Sequence, residues 1–126
     1  MRLRVRKVPK HCLWLLIGML GISYGNLASA HAVITDYSLK LMPIHANQAD
    51  KVGLRFNSQV ELGLSQVFLI SKGDTHTALQ IMQGDKQGEI VVLLPALELG
   101  DYALKFKVFA ADGHLTEDLI HFSVIL

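Results

Sequence analysis

The stretch Gly100-Asp101-Tyr102-Ala103-Leu104-Lys105-Phe106-Lys107-Val108-Phe109 sets large apolar side chains at 102, 104, 106 and 108 against Asp101, Lys105 and Lys107. Successive side chains of a strand point to opposite faces, so this spacing predicts a strand with one buried face. Val52, Leu54 and Phe56 repeat the pattern against Lys51, Gly53 and Arg55. Three further runs are apolar on consecutive positions: Val67 to Ile70, Ile90 to Leu94, and Leu119 to Leu126 with polar breaks at His121 and Ser123. Those suit central or doubly covered strands. Between the runs lies turn chemistry: Met42-Pro43, Lys72-Gly73-Asp74, Gln83-Gly84-Asp85, Leu99-Gly100-Asp101 and Asp112-Gly113. About seven short strands spaced by such turns, with at most a helical turn at Gly63-Leu64-Ser65, predict an all-β fold. The expected architecture is a small antiparallel Greek-key β-sandwich or barrel.

The first thirty residues read differently. Arg2, Arg4, Arg6, Lys7 and Lys10 precede an apolar run from Cys12 to Ile22, followed by Leu27-Ala28-Ser29-Ala30. This is the order of a secretory signal: basic region, apolar region, A-x-A cleavage site. The apolar run is about half the ~20 residues that cross a bilayer as a helix. Residues 1–30 are therefore expected to be removed on export, leaving one domain, 31–126, that begins with His31. The single Cys (Cys12) and single Trp (Trp14) leave with the signal, so no disulfide is expected. Seven Lys and Arg then face eleven Asp and Glu, a formal charge of −4, which gives no electrostatic attraction to nucleic acid.

Of the six His, four have plain explanations. His11 belongs to the signal. His121 points away from Phe122 on the last strand, toward solvent. His45 lies in a loop after Pro43, and His76 at a hairpin tip after Gly73-Asp74. Asp112 and His114 differ in being two apart at a strand end, with Gly113 between them, so both side chains can turn to one point. Alone the tripeptide is also a common β-turn, with Asp capping the backbone. A second source of ligands is His31. As a free N-terminus it offers its α-amine and ring Nδ1, which close a chelate ring on a metal. With an imidazole from His114 and a carboxylate oxygen from Asp112, the set is three nitrogens and one oxygen. Such donors in a tetragonal arrangement favour Cu(II), whereas Zn(II) prefers a tetrahedral set.

The mature chain resembles the CopC family of periplasmic copper-binding and copper-resistance proteins. The resemblance is carried by Ala-Ser-Ala followed by His31-Ala32, by Pro43, Leu54-Arg55-Phe56, Leu93-Leu94-Pro95-Ala96-Leu97 and Leu99-Gly100-Asp101-Tyr102. Phe106-Lys107-Val108-Phe109-Ala110-Ala111-Asp112-Gly113-His114, ahead of a closing strand with Phe122, completes it. It implies a cupredoxin-like or immunoglobulin-like β fold and a Cu(II) site at His31, Asp112 and His114. It also implies a CopD-type inner-membrane partner. Copper itself is the expected ligand and the chain is expected to be monomeric. The sequence departs from the family pattern where Phe106 replaces a Trp, Asp118 a Gly, and Ser58 a Glu found near the copper in some members. A Met-rich Cu(I) loop would fall around Lys72 to Gln83, where only Met82 joins His76, so no thioether site is expected.

Two other functions share these features. An N-terminal His with a second His is also the copper brace of oxidative polysaccharide-cleaving enzymes. Against that stand the small domain, the lack of an aromatic row for a sugar chain, and Asp112 in a position oxygen would need. A metal-free sandwich that binds protein, with Asp112-Gly113-His114 as a plain turn, is the other. The expected protein is a non-enzymatic, single-site Cu(II) binder.

Overall fold

The alternating stretches form the two halves of one core. The computed structural model describes residues 32–126; the signal segment, its cleavage site and His31 lie outside the described residues. Nine strands occur among them: β1 (Ile34–Tyr37), β2 (Ile44–His45), β3 (Asp50–Phe56), β4 (Gln66–Ser71), β5 (Thr75–Leu79), β6 (Ile81–Gln83), β7 (Glu89–Leu94), β8 (Gly100–Phe109) and β9 (Leu115–Ile125). They make a four-stranded sheet in the order β1-β3-β7-β6 and a five-stranded sheet in the order β2-β9-β8-β4-β5. The domain is thus an all-β sandwich. Two strands exceed the expected seven because β2 and β6 are only two and three residues long. The sandwich is also not wholly antiparallel: β2 runs parallel to β9, Ile44 opposite Val124 and His45 opposite Ile125.

Period-two burial is regular in β3, β7 and β8. Val52, Leu54 and Phe56 of the first sheet, with Ile90, Val92 and Leu94, face Val67, Leu69, Leu104, Phe106 and Val108 of the second, all buried. Phe56 and Phe106 meet edge to face at 5.6 Å and 78°. The consecutive apolar runs are interior strands in their sheets, but they are covered on one face only. In β9 only Ile120 and Val124 are buried, while Leu119 and Ile125 are exposed. His121 is exposed between them, as expected.

Local chemistry explains the short elements. A 3-10 turn at Ser38–Lys40, not anticipated from sequence, is held where the Ser38 hydroxyl accepts the Gly53 N–H at 3.0 Å. At 61–65 the Ser65 N–H donates to the Glu61 carbonyl at 3.1 Å, closing a helical turn over Gly63 and Leu64. Gly88 has φ +77°, and a Cβ there would lie 2.5 Å from the Phe56 carbonyl oxygen and 2.8 Å from that of Ser58. Gly88→Ala is expected to destabilise by more than the ~1–2 kcal/mol of a left-handed L-residue alone, because both close atoms are backbone; a urea melt checks this.

Candidate metal centre

Asp112 and His114 sit on the hairpin between β8 and β9, whose last pair is Phe109 with Leu115. The Gly113 N–H donates to the Ala110 carbonyl at 2.9 Å, and the Ala110 N–H to the His114 carbonyl at 3.0 Å. Gly113 occupies the left-handed region at φ +86°. That is a three-residue hairpin loop closed by a β-turn with a glycine at the left-handed position, and it explains why Gly stands between the two polar residues.

The Asp112 carboxylate uses its two oxygens differently. Oδ1 accepts the His114 N–H at 3.0 Å, and Oδ2 lies 2.7 Å from His114 Nδ1. The capping role expected of a plain turn and the convergence expected of a ligand pair therefore coexist. The Asp112 side chain is 28% exposed and that of His114 56%, so the pair opens to solvent from a fixed base. No group of three or more His, Cys, Asp and Glu side chains able to hold a metal occurs among the described residues. Asp112 and His114 supply two donors, and the third residue of the predicted set, His31, is outside them.

The neighbouring elements tie this hairpin to the start of the described chain. Val60 bridges Ala110, the Ala111 N–H donates to the Gln59 carbonyl at 3.1 Å, and the Glu61 N–H to the Phe109 carbonyl at 2.9 Å. Two residues before Gln59, Asn57 is bonded to Val33: the Val33 N–H donates to Asn57 Oδ1 at 2.8 Å and the Asn57 N–H to the Val33 carbonyl at 3.0 Å. Ala32 is wholly buried in the core. The segment Asn57-Ser58-Gln59 thus runs between the N-terminal strand and the stem of the Asp112-Gly113-His114 turn. Within it, the Ser58 hydroxyl is buried with no hydrogen-bond partner among the described residues. Sequence reasoning singled out Ser58 only as a departure from a family pattern and passed over Asn57 and Gln59.

His45 and His76 lie toward the far end of the sandwich. His45 belongs to β2, not to a loop, is half-buried, and its Nδ1 lies 2.9 Å from the Leu126 carbonyl oxygen. His76 is exposed in β5, with Nε2 2.9 Å from Asp74 Oδ1. Their strands pair with Ile125 and with Ile70, which lies opposite Ala103, whereas the Asp112 hairpin follows Phe109.

Fold and site together define a small two-sheet sandwich with an Asp-His pair on the hairpin of its two longest strands. The family model for the CopC domain matches residues 43–125, and the chain belongs to the CopC family. It is similar to CopC from Methylosinus trichosporium OB3b, whose crystal structure matches with a TM-score of 0.62 and 28% identity, covering 75% of this chain and 94% of that one. The crystal structure of PcoC, a methionine-rich copper resistance protein from Escherichia coli, matches with a TM-score of 0.58 and 19% identity over 75% of this chain and 99% of that one. The latter likeness is one of fold. Among curated proteins no match was found.

Proposed function

We propose that the protein is a periplasmic copper-binding protein of copper resistance or supply. In this reading cleavage after Ala30 frees His31, and one Cu(II) is held by the His31 amine and Nδ1, an Asp112 carboxylate oxygen and the His114 imidazole. The observation that carries the reading is the 2.7 Å separation of Asp112 Oδ2 and His114 Nδ1. With metal–donor bonds of about 2.0 Å, adjacent donors of a square site stand about 2.8 Å apart, against about 3.3 Å for a tetrahedron. The two donors thus already stand at the spacing of adjacent positions in a square site; binding a metal there requires the shared proton to leave and both groups to turn from each other toward the metal, and Oδ1 can keep its bond to the His114 N–H meanwhile.

Chain reach supports the remaining ligand. His31 is two residues ahead of Val33, a span of at most about 7 Å, and Val33 is fixed to Asn57, two residues from the Gln59 that binds Ala111. Membership of the CopC family supports copper as the cargo. A CopD-type membrane protein is the proposed recipient or donor. Ser58 provides no carboxylate, so three residues complete the site.

The Nδ1 contact favours one further arrangement. A carboxylate that accepts the Nδ1–H of a His presents its Nε2 to a metal and fixes the tautomer, which would make Asp112 an orienting residue for His114. Asp112→Asn separates the two: loss of a ligand alters the Cu(II) spectrum, whereas loss of an orienting residue weakens affinity and leaves the spectrum unchanged.

Protein beginning at His31, with no tag ahead of it, is expected to take up one Cu(II) per chain. Affinity falls as pH drops, because amine and imidazole nitrogens take up protons in the metal's place. A copper titration at several pH values checks both points. If such protein takes up no copper, the metal-free sandwich is the correct reading. Copper-dependent, ascorbate-driven cleavage of a polysaccharide, abolished in His31→Ala, would establish the enzyme instead.

A further inference from the structure

The Val33–Asn57 pair extends the β1–β3 ladder one step past Ile34 and Phe56. At this step the Asn57 side-chain oxygen takes the place that a backbone carbonyl has elsewhere in a ladder, so the last anchor of the N-terminal strand depends on side-chain identity. From it, we infer that Asn57 is a positioning residue of the copper site: by clamping both backbone groups of Val33 it ties the start of the domain to the loop that also holds the stem of the Asp112-Gly113-His114 turn, and so limits how far the His31 ligand can stray from its partners. The inference rests on the proposed role of His31.

The reasoning concerns the state of the chain end. First residues of a domain fray unless tied down. A ligand on a frayed end is in place only part of the time, and apparent affinity falls by that fraction. Two hydrogen bonds to one residue resist fraying at the point where the ladder would otherwise stop. The same loop carries the tie to the other half of the site, through the Gln59 carbonyl and the Ala111 N–H at 3.1 Å. The Ser58 hydroxyl, buried with no hydrogen-bond partner among the described residues, lies between the two anchors, and the ties given by Asn57 and Gln59 stand on either side of it.

The test compares Asn57→Ala and Asn57→Asp with the unaltered protein in two backgrounds, one beginning at His31 and one with a single Ala ahead of it. Cu(II) affinity is read by competition titration and the Val33 amide by hydrogen exchange in metal-free protein. With a free His31, Asn57→Ala is expected to bind Cu(II) about 10- to 100-fold more weakly, the range for residues that orient ligands, and its Val33 amide exchanges faster. Asn57→Asp keeps an acceptor oxygen and restores both. With Ala ahead of His31 the residual affinity does not respond to Asn57. Should Asn57→Ala not fold, Asn57→Gln, whose amide is displaced by one methylene, carries the same comparison. Undiminished affinity in Asn57→Ala overturns the inference and leaves the copper site standing; equal losses in both backgrounds overturn it as a general structural effect. If the unaltered protein beginning at His31 binds no Cu(II), the site assignment itself fails.

Discussion

Phe106→Ala is expected to destabilise the domain by about 3–5 kcal/mol, the usual cost of emptying an aromatic site in a core. Phe106 is the largest of the fully buried side chains, 0% exposed at the middle of β8, and it packs edge-on against Phe56 of the opposite sheet. The cavity would open between the sheets, and among the described residues there is no helix layer behind either of them and no Cys. Domains of this size lose about 4–8 °C of melting temperature per kcal/mol, so the fall is expected to exceed about 12 °C. Thermal and urea melts of the metal-free protein measure it. Phe106→Leu retains most of the volume and should be much milder, with copper binding preserved, since the same strand leads directly into the Asp112 hairpin. A Phe106→Ala protein as stable as the parent would mean that the two sheets do not share this core.

The largest functional effect is expected from Ala at both His31 and His114. In the proposed site these two residues supply all three nitrogens; the double variant loses both imidazoles and the chelate ring, and keeps only the α-amine of residue 31 and one Asp112 oxygen, a poor donor set for Cu(II). Residues that only orient ligands contribute about 10–100-fold to metal affinity, so removing the ligands themselves should cost at least about 100-fold. Competition titration of protein processed after Ala30 checks this. Equal affinity in the double variant and the parent would show that the metal is held elsewhere. The His114 side chain is more than half exposed, so its replacement should change the melting temperature little.

How far the sequence carried can be seen strand by strand. β3 and β8 were legible because their apolar positions keep strict period two and the sheets bury that face. β9 was not, since Leu119 and Ile125 are apolar yet lie exposed on the outer face of the five-stranded sheet, which no other described element covers. A run of apolar residues shows the composition of a strand, not how many of its faces are covered. β2 escaped because its two residues gain strand geometry only from a parallel pairing with Val124 and Ile125, far away in the chain. At the candidate site, Asp112, Gly113 and His114 could be read from local turn chemistry. Asn57 could not, because its role is set by Val33, 24 positions away, and the exchange of a side-chain oxygen for a backbone one leaves no periodic trace.

The central claim is that a free His31 completes a copper site with Asp112 and His114. Electron paramagnetic resonance of the 1:1 Cu(II) complex tests it most directly, on protein whose N-terminus is confirmed as His31 and on the same protein with one Ala ahead of it. The account predicts a tetragonal spectrum with three nitrogens and one oxygen from the first, and its loss in the second. The same spectrum from both would contradict it.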